Sequence, residues 1–246
     1  MAGIVLVEVN EVPNAVLDAY AGRSSFMKEF FARSRRFDTV AADQLQLDPW
    51  IAWPTFHRGV PDTTHRLLRL GQDSAKVDGA FPPVWRKLVN SGRSVGVYGS
   101  LFSNTETDLD PYDFFVPDVF SPHTKVNPPS LEKFQRFNLA MTRASGRNPS
   151  SEVSGGAAGA VIDMATKGQL RLSTMLRVAS QLLAEKVNPA RLSRRRNIQT
   201  ELHADVFMKL WKEHRPEFST FYTNNVAAAM HRFWSAAFTS GSINRK

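Results

Sequence analysis

Ile4-Val5-Leu6-Val7-Glu8-Val9, running straight into Asn10 and Glu11, is the stretch on which the fold turns. An apolar run broken only by Glu8 is the signature of a strand buried on both faces, as in a parallel sheet covered by helices. Parallel strands need crossover connections, and the residues that follow supply them. Pro13 suits the first turn of a helix over 14–20. Ser24 or Ser25 caps a second helix, which carries Phe26, Met27, Phe30 and Phe31 at helical spacing. Phe37 to Ala42 reads as the next strand, so right-handed strand–helix–strand units are expected.

The pattern recurs downstream. Residues 82–89, opened by Pro82-Pro83 and closed by Gly92, read as a short helix entering the strand Ser94-Val95-Gly96-Val97-Tyr98-Gly99. Residues 104–129, rich in Asp, Pro and Ser, read as a long ordered loop, and residues 150–160, rich in Gly, Ser and Ala, as a flexible joint. Beyond the joint, Leu172, Met175, Leu176, Ala179, Leu182 and Leu183 form one apolar helix face, and Ile198, Leu202, Val206, Phe207 and Leu210 another. The sheet resumes at Phe218 to Thr223, followed by a helix over 226–238. The expected fold is α/β: a three-layer αβα sandwich with a mostly parallel sheet and an inserted helical cap. Residues 1–149 give the N-terminal part of the core, 150–216 the cap, and 217–246 the return to a core that reads as incomplete.

With 246 residues and 42% hydrophobic content, the chain can bury a sizeable core. It has no cysteine, which excludes disulfides, thiolate catalysis and cysteine-ligated metals and leaves oxygen and imidazole as metal ligands. The net charge of +8 favours phosphate-bearing partners. Much of the excess lies in Arg191, Arg194, Arg195 and Arg196, read as a solvated basic face of the cap rather than a surface for nucleic acid or acidic membrane. Nucleic acid is not the expected partner, since neither an RNA-binding aromatic-and-basic pattern nor zinc-finger spacing is present. No run reaches the roughly 18 apolar residues of a spanning helix. The first strand begins almost at Met1 with no room for a leader, so a cytoplasmic location is expected.

Ligands of open α/β sheets lie beyond the carboxyl ends of the strands. The first such end offers Glu8, Asn10 and Glu11. Residues 47–56 read as a loop delivering polar groups to the start of a short helix, with Asp48, Trp53, Thr55, His57 and, farther on, His65. The last offers Asn224 and Asn225, with His231 two turns into the following helix. Carboxylates, amides and imidazole suit a divalent metal, zinc first, with manganese or magnesium as alternatives. A metal next to Thr55 would lower its hydroxyl pKa and stabilise charge on a phosphoryl oxygen. The plainer reading of the same residues is that Asn10 and Asn224 cap helices, Thr55 caps or packs a helix start after Pro54, and His57 and His65 pack. The residues alone leave both open.

In order and spacing these landmarks resemble the alkaline phosphatase superfamily, and within it the type I phosphodiesterase/nucleotide pyrophosphatase group. The likeness runs from Ile4 to about Ser103 and returns between Phe218 and Trp234. It is carried by Val7-Glu8-Val9-Asn10-Glu11 with Leu17-Asp18, by Gly59-Val60-Pro61 with His65, and by Pro83-Val84-Trp85 through Gly92 to Gly99. The resemblance implies a three-layer αβα fold and metal-dependent hydrolysis of phosphate, phosphodiester or sulfate esters through a covalent Ser/Thr intermediate. Four departures stand beside it. Asn10 occupies the place of the family's first metal-binding Asp, between Glu8 and Glu11. Counting back from Gly59 puts the nucleophile near Asp48-Pro49 rather than on Thr55. The family's Asp-x-x-x-His pair reads Asn224 and Ala228, with His231 nearby. The family's final Asp-His pair has no counterpart.

Two functions are therefore expected. The first is a metal-dependent hydrolase of phosphate monoesters or diesters, with Thr55 or Asp48 at the attacked phosphorus, Trp53, His57 and His65 against the substrate, and Glu8, Asn10, Glu11 and His231 around the metal. The second is a relative that binds a small phosphorylated ligand without turnover.

Overall fold

The computed structural model describes residues 3–40, 47–145 and 151–238 of the chain. Among these, β1 (Ile4–Val9), β2 (Val95–Tyr98), β3 (Phe114–Val116) and β4 (Phe218–Thr223) form one sheet in the order β1-β4-β2-β3. All pairings are parallel. β4 runs in register with β1 from Ile4 opposite Phe218 to Val9 opposite Thr223, and meets β2 at Val95 and Gly96. The last strand in sequence is thus inserted between the first two.

Alternation along the strands sorts side chains into two cores. Val95, Val97, Phe115 and Phe218 face Trp85 of α6 (Val84–Asn90). Tyr98, Phe114, Val116 and Phe221 face the other way. They meet Phe134 of α7 (Glu132–Ser145), Met164 of α8 (Ser151–Thr166) and Leu202, Val206, Phe207 and Leu210 of α10 (Arg195–His214). Helices on both faces of a parallel sheet make the three-layer αβα sandwich. Gly96 is required by this packing, because a Cβ there would fall within the van der Waals envelope of the fully buried Phe114 ring.

Several elements match the sequence reading closely. α1 (Asn14–Ala21) follows Pro13, and α2 (Ser25–Ala32) is capped by Ser24, whose Oγ accepts the Met27 amide at 3.3 Å. Gly92, at φ 74°, ends the α6 turn, and α11 (Asn225–Phe238) follows β4. Other expectations are corrected. β1 is an edge strand, so Ile4, Val5, Val7 and Val9 are exposed rather than buried on both faces. Phe37 to Val40 form no strand and are exposed; positions 41 and 42 of that expectation lie outside the described residues. The loop over 104–129 contains the buried strand β3, which is too short to show a period. The Gly/Ser/Ala stretch is not a joint, since from Ser151 it is the helix α8, and small residues in series are compatible with a helix that tertiary contacts hold. Within residues 150–216, α10 contacts β4, α8 packs on α7 with Met164 in the same core, and α9 (Leu172–Val187) packs on α10.

We expect Gly96→Ala to lower unfolding free energy by about 1–3 kcal/mol, as overpacked cores do. In a chemical denaturation series, Phe114→Leu in the same chain should recover part of that loss. Additive effects of the two substitutions would contradict the close approach.

Candidate site at the carboxyl ends of the strands

Asn10, buried at the end of β1, holds three elements together. Its Oδ1 accepts the Trp53 indole N–H at 2.8 Å, and its Nδ2 donates to Asn224 Oδ1 at 2.9 Å. Because indole is a donor only, the amide orientation is fixed. Through these two bonds the Asn10 amide joins the ends of β1 and β4 to α3 (Pro49–Arg58).

Glu8, two residues earlier, shares that face of β1. Its Oε1 lies 2.8 Å from His57 Nε2, with both side chains fully buried. His57 is stacked on Trp53 and lies edge-on to Trp85. Glu8 Oε2 and His57 Nδ1 have no hydrogen-bond partner among the described residues. One residue on, Arg58 and Asp78 form a second buried pair at 2.5 Å, which anchors the C-terminal end of α3 to α5 (Ala75–Ala80).

Thr55 is not at a helix start. α3 begins at Pro49 and runs through Pro54, which puts Thr55 in its second turn, away from the free N-terminal amides. The Thr55 hydroxyl donates back to Ile51 O at 3.1 Å and lies 2.9 Å from His65 Nε2. His65 Nδ1 accepts the Leu67 amide at 2.9 Å, so the proton of the neutral ring sits on Nε2, facing Thr55 as a donor. That polarity is opposite to the one a base needs to take a proton from Thr55. Asp48 precedes α3 at the N-cap position, half-buried, and its carboxylate makes no capping bond to the helix amides.

Glu11, at φ 51°, pairs with His231 on the surface, Oε2 to Nε2 at 2.7 Å. The expected metal neighbours thus divide. Glu8 is committed to His57 in the interior, Asn10 to two neutral partners, and Glu11 to His231 outside. Among the described residues no three His, Asp or Glu side chains converge as a ligand set. The donors present do not fit a divalent metal in this arrangement.

A cleft of about 350 Å³ opens beyond the ends of β2, β3 and β4, between α7, α10 and α11. It carries residues that the sequence reading missed: Tyr98, Gln135, Gln199 and His203, alongside Asn224 and Asn225. Tyr98 Oη lies 3.1 Å from His203 Nδ1. Burial pushes the His203 imidazole down to about 4 and the Tyr98 phenol well up, so both stay neutral at pH 7. Among the described residues no charged side chain lines this cleft. A second hollow, which shares Asn225 and Ala228 with it, is lined by Arg194 and Arg232, which make no ion pair among the described residues. The helical period of α10 marks only Ile198, Leu202, Val206, Phe207 and Leu210, and His203 with its neighbours Gln199 and Thr200 matches no motif, so sequence gives it no signal.

Asp118, just beyond β3, is the remaining unusual group. It is buried, Oδ1 accepts the Phe120 amide at 2.8 Å, and Oδ2 has no partner among the described residues. Burial pushes its carboxyl up to about 6, against the pull of surrounding backbone N–H groups. Comparison of this chain with family models, curated proteins and solved structures gave no match.

The raised Asp118 carboxyl has a definite sign. Its folded pKa lies above the unfolded value, so its stabilising contribution is full at acidic pH and is lost as pH rises through about 6. Asp118→Asn should therefore match the parent near pH 4 and exceed it by about 2–3 kcal/mol at pH 8, from the ~1.4 kcal/mol that accompanies each unit. A stability gap that does not change between those pH values would contradict the assignment.

Proposed function

We propose that this chain binds a small phosphorylated ligand at the carboxyl end of its parallel sheet without hydrolysing it. The uncharged part of the ligand lies in the cleft of Tyr98, Gln199, His203 and Asn225, and the phosphate lies at Arg194 and Arg232. The single observation that carries this reading is a neutral, hydrogen-bonding cleft adjoined by a hollow with two arginines that have no acidic partners among the described residues. Arg232 stands seven residues along α11 from Asn225, about 10 Å at the helical rise, which matches the span from a phosphate to the body of a nucleoside- or sugar-sized group. Guanidinium groups recognise phosphate through paired N–H donors, and the net charge of +8 draws such a ligand in.

Absence of turnover is supported by the same hydrogen bonds that hold the site together. Thr55 faces a donor, Glu8 is spent on His57, and Asn10 stands where the resembling family carries a metal-binding Asp. A second reading, hydrolysis of phosphate esters, is favoured by one observation. Asp48 lies at the N-terminus of α3 with its carboxylate unengaged by the helix amides, at the position where the spacing of the resembling family expects a nucleophile.

The test uses 4-nitrophenyl phosphate and bis(4-nitrophenyl) phosphate with the whole chain, with and without added zinc, manganese or magnesium. We expect a saturable rise in melting temperature with the monoester, reduced about tenfold in apparent affinity by Arg232→Ala, and no release of nitrophenolate. Metal-dependent release abolished by Asp48→Asn would establish the hydrolase instead. No thermal shift and no release would exclude both.

A further inference from the structure

α9 is apolar on two sides. Met175 and Val178 pack inward on the core shared with α10, and Thr174 is buried. The outward side carries Leu172, Leu176, Ala179, Leu183 and Val187, at spacings of three and four residues, which is one continuous line along the helix. Leu172, Leu176, Leu183 and Val187 are 68%, 63%, 65% and 87% exposed. Sixteen residues give this line a length of about 24 Å. The sequence period alone merges the two sides into one broad apolar face; the fold uses only part of it.

Charge surrounds the line. From Lys167 to Arg196 the chain has eight Lys and Arg against one acid, Glu185. Arg171, Arg177 and Arg195 are engaged by Asp205, Glu201 and Glu185, which clip α9 and its sequel to α10. Lys186 and Arg191 are exposed and make no ion pair among the described residues. They stand at the C-terminal end of the apolar line, where the chain passes into the 3₁₀ turn Pro189–Arg194.

From this juxtaposition we infer that α9 is a membrane-surface helix, lying flat on an anionic bilayer with Leu172, Leu176, Leu183 and Val187 among the acyl chains and Lys186 and Arg191 on the headgroups. An exposed stripe of leucines beside unpaired cations is the pattern of an interfacial helix. A protein partner is the poorer fit. The stripe is Leu, Ala and Val on the outside of one helix, without the aromatic and Met side chains that enrich interface cores. The helix lies in the interface and does not cross it, in keeping with the finding that no described helix is long and apolar enough to span a membrane. The inference does not depend on the cleft or its ligand.

The experiment is sedimentation of the whole chain with vesicles of phosphatidylcholine alone or mixed with phosphatidylserine. Sedimentation is expected with the mixed vesicles only, weakening as salt is raised. Lys186→Ala and Arg191→Ala should each weaken it about fivefold, the loss expected from one surface cation, and Leu176→Glu with Leu183→Glu should abolish it. Because the chain has no cysteine, Leu176→Cys can be labelled uniquely with an environment-sensitive fluorophore, whose emission should shift to the blue on the mixed vesicles. That readout holds even if the double glutamate variant folds poorly. No sedimentation with anionic vesicles, or no blue shift on them, would overturn the inference. So would a chain that is dimeric in solution and becomes monomeric when the leucines are replaced, or nucleic-acid binding insensitive to those leucines in place of lipid binding.

Discussion

Everything at the functional end of this molecule depends on the insertion of β4 between β1 and β2. Asn10 and Asn224 are 214 residues apart in the chain and meet because Val9 and Thr223 are partners in the ladder. The same strand carries Phe221 to one core and Phe218 to the other, so the two helical layers are also joined through it. Loop-closure entropy grows slowly with length, so bringing such distant segments together costs only modestly more than a short closure.

Once the strands are aligned, the polar residues at their ends are spent on one another. Asn10 uses its acceptor on Trp53 and a donor on Asn224; Glu8 holds His57 in the interior; His65 faces Thr55. A buried polar group left without a partner costs about 1–3 kcal/mol, which favours these mutual bonds, although Glu8 Oε2 and His57 Nδ1 have no partner among the described residues. What remains for a ligand is the adjacent cleft. There, burial keeps Tyr98 and His203 neutral, and Arg194 and Arg232 stand at its mouth without ion pairs among the described residues.

The sheet strands with long apolar runs were legible because their pattern reports burial directly. Val95 to Tyr98 and Phe218 to Thr223 are strands in both sequence and structure, and with them comes the αβα class. β1 was found as a strand but misjudged in environment, because an apolar run does not say which neighbours will cover it. β3, with three residues, is shorter than any period. Pro54 suggested a helix start, but Pro49 was the actual N1 residue, and this single displacement moved Thr55 from the amide-rich end to the second turn. Glu8 and Asn10, expected around a metal, and His57, expected against a substrate, meet instead in hydrogen bonds near the end of β1. Their mutual hydrogen bonds depend on rotamers and register, which residue types do not encode. His203 and Asp118 were missed because their character comes from burial by segments distant in sequence.

Binding without hydrolysis requires that the His65 ring donate a hydrogen bond to Thr55 rather than accept one. Long-range ¹H–¹⁵N correlation NMR of the histidine side chains reads this directly, because protonated and bare ring nitrogens differ widely in shift. The geometry requires His65 to be the neutral tautomer with the proton on Nε2 and Nδ1 bare, accepting the Leu67 amide. A ring protonated on Nδ1, with Nε2 open toward Thr55, would contradict it and restore Thr55 as an activated nucleophile.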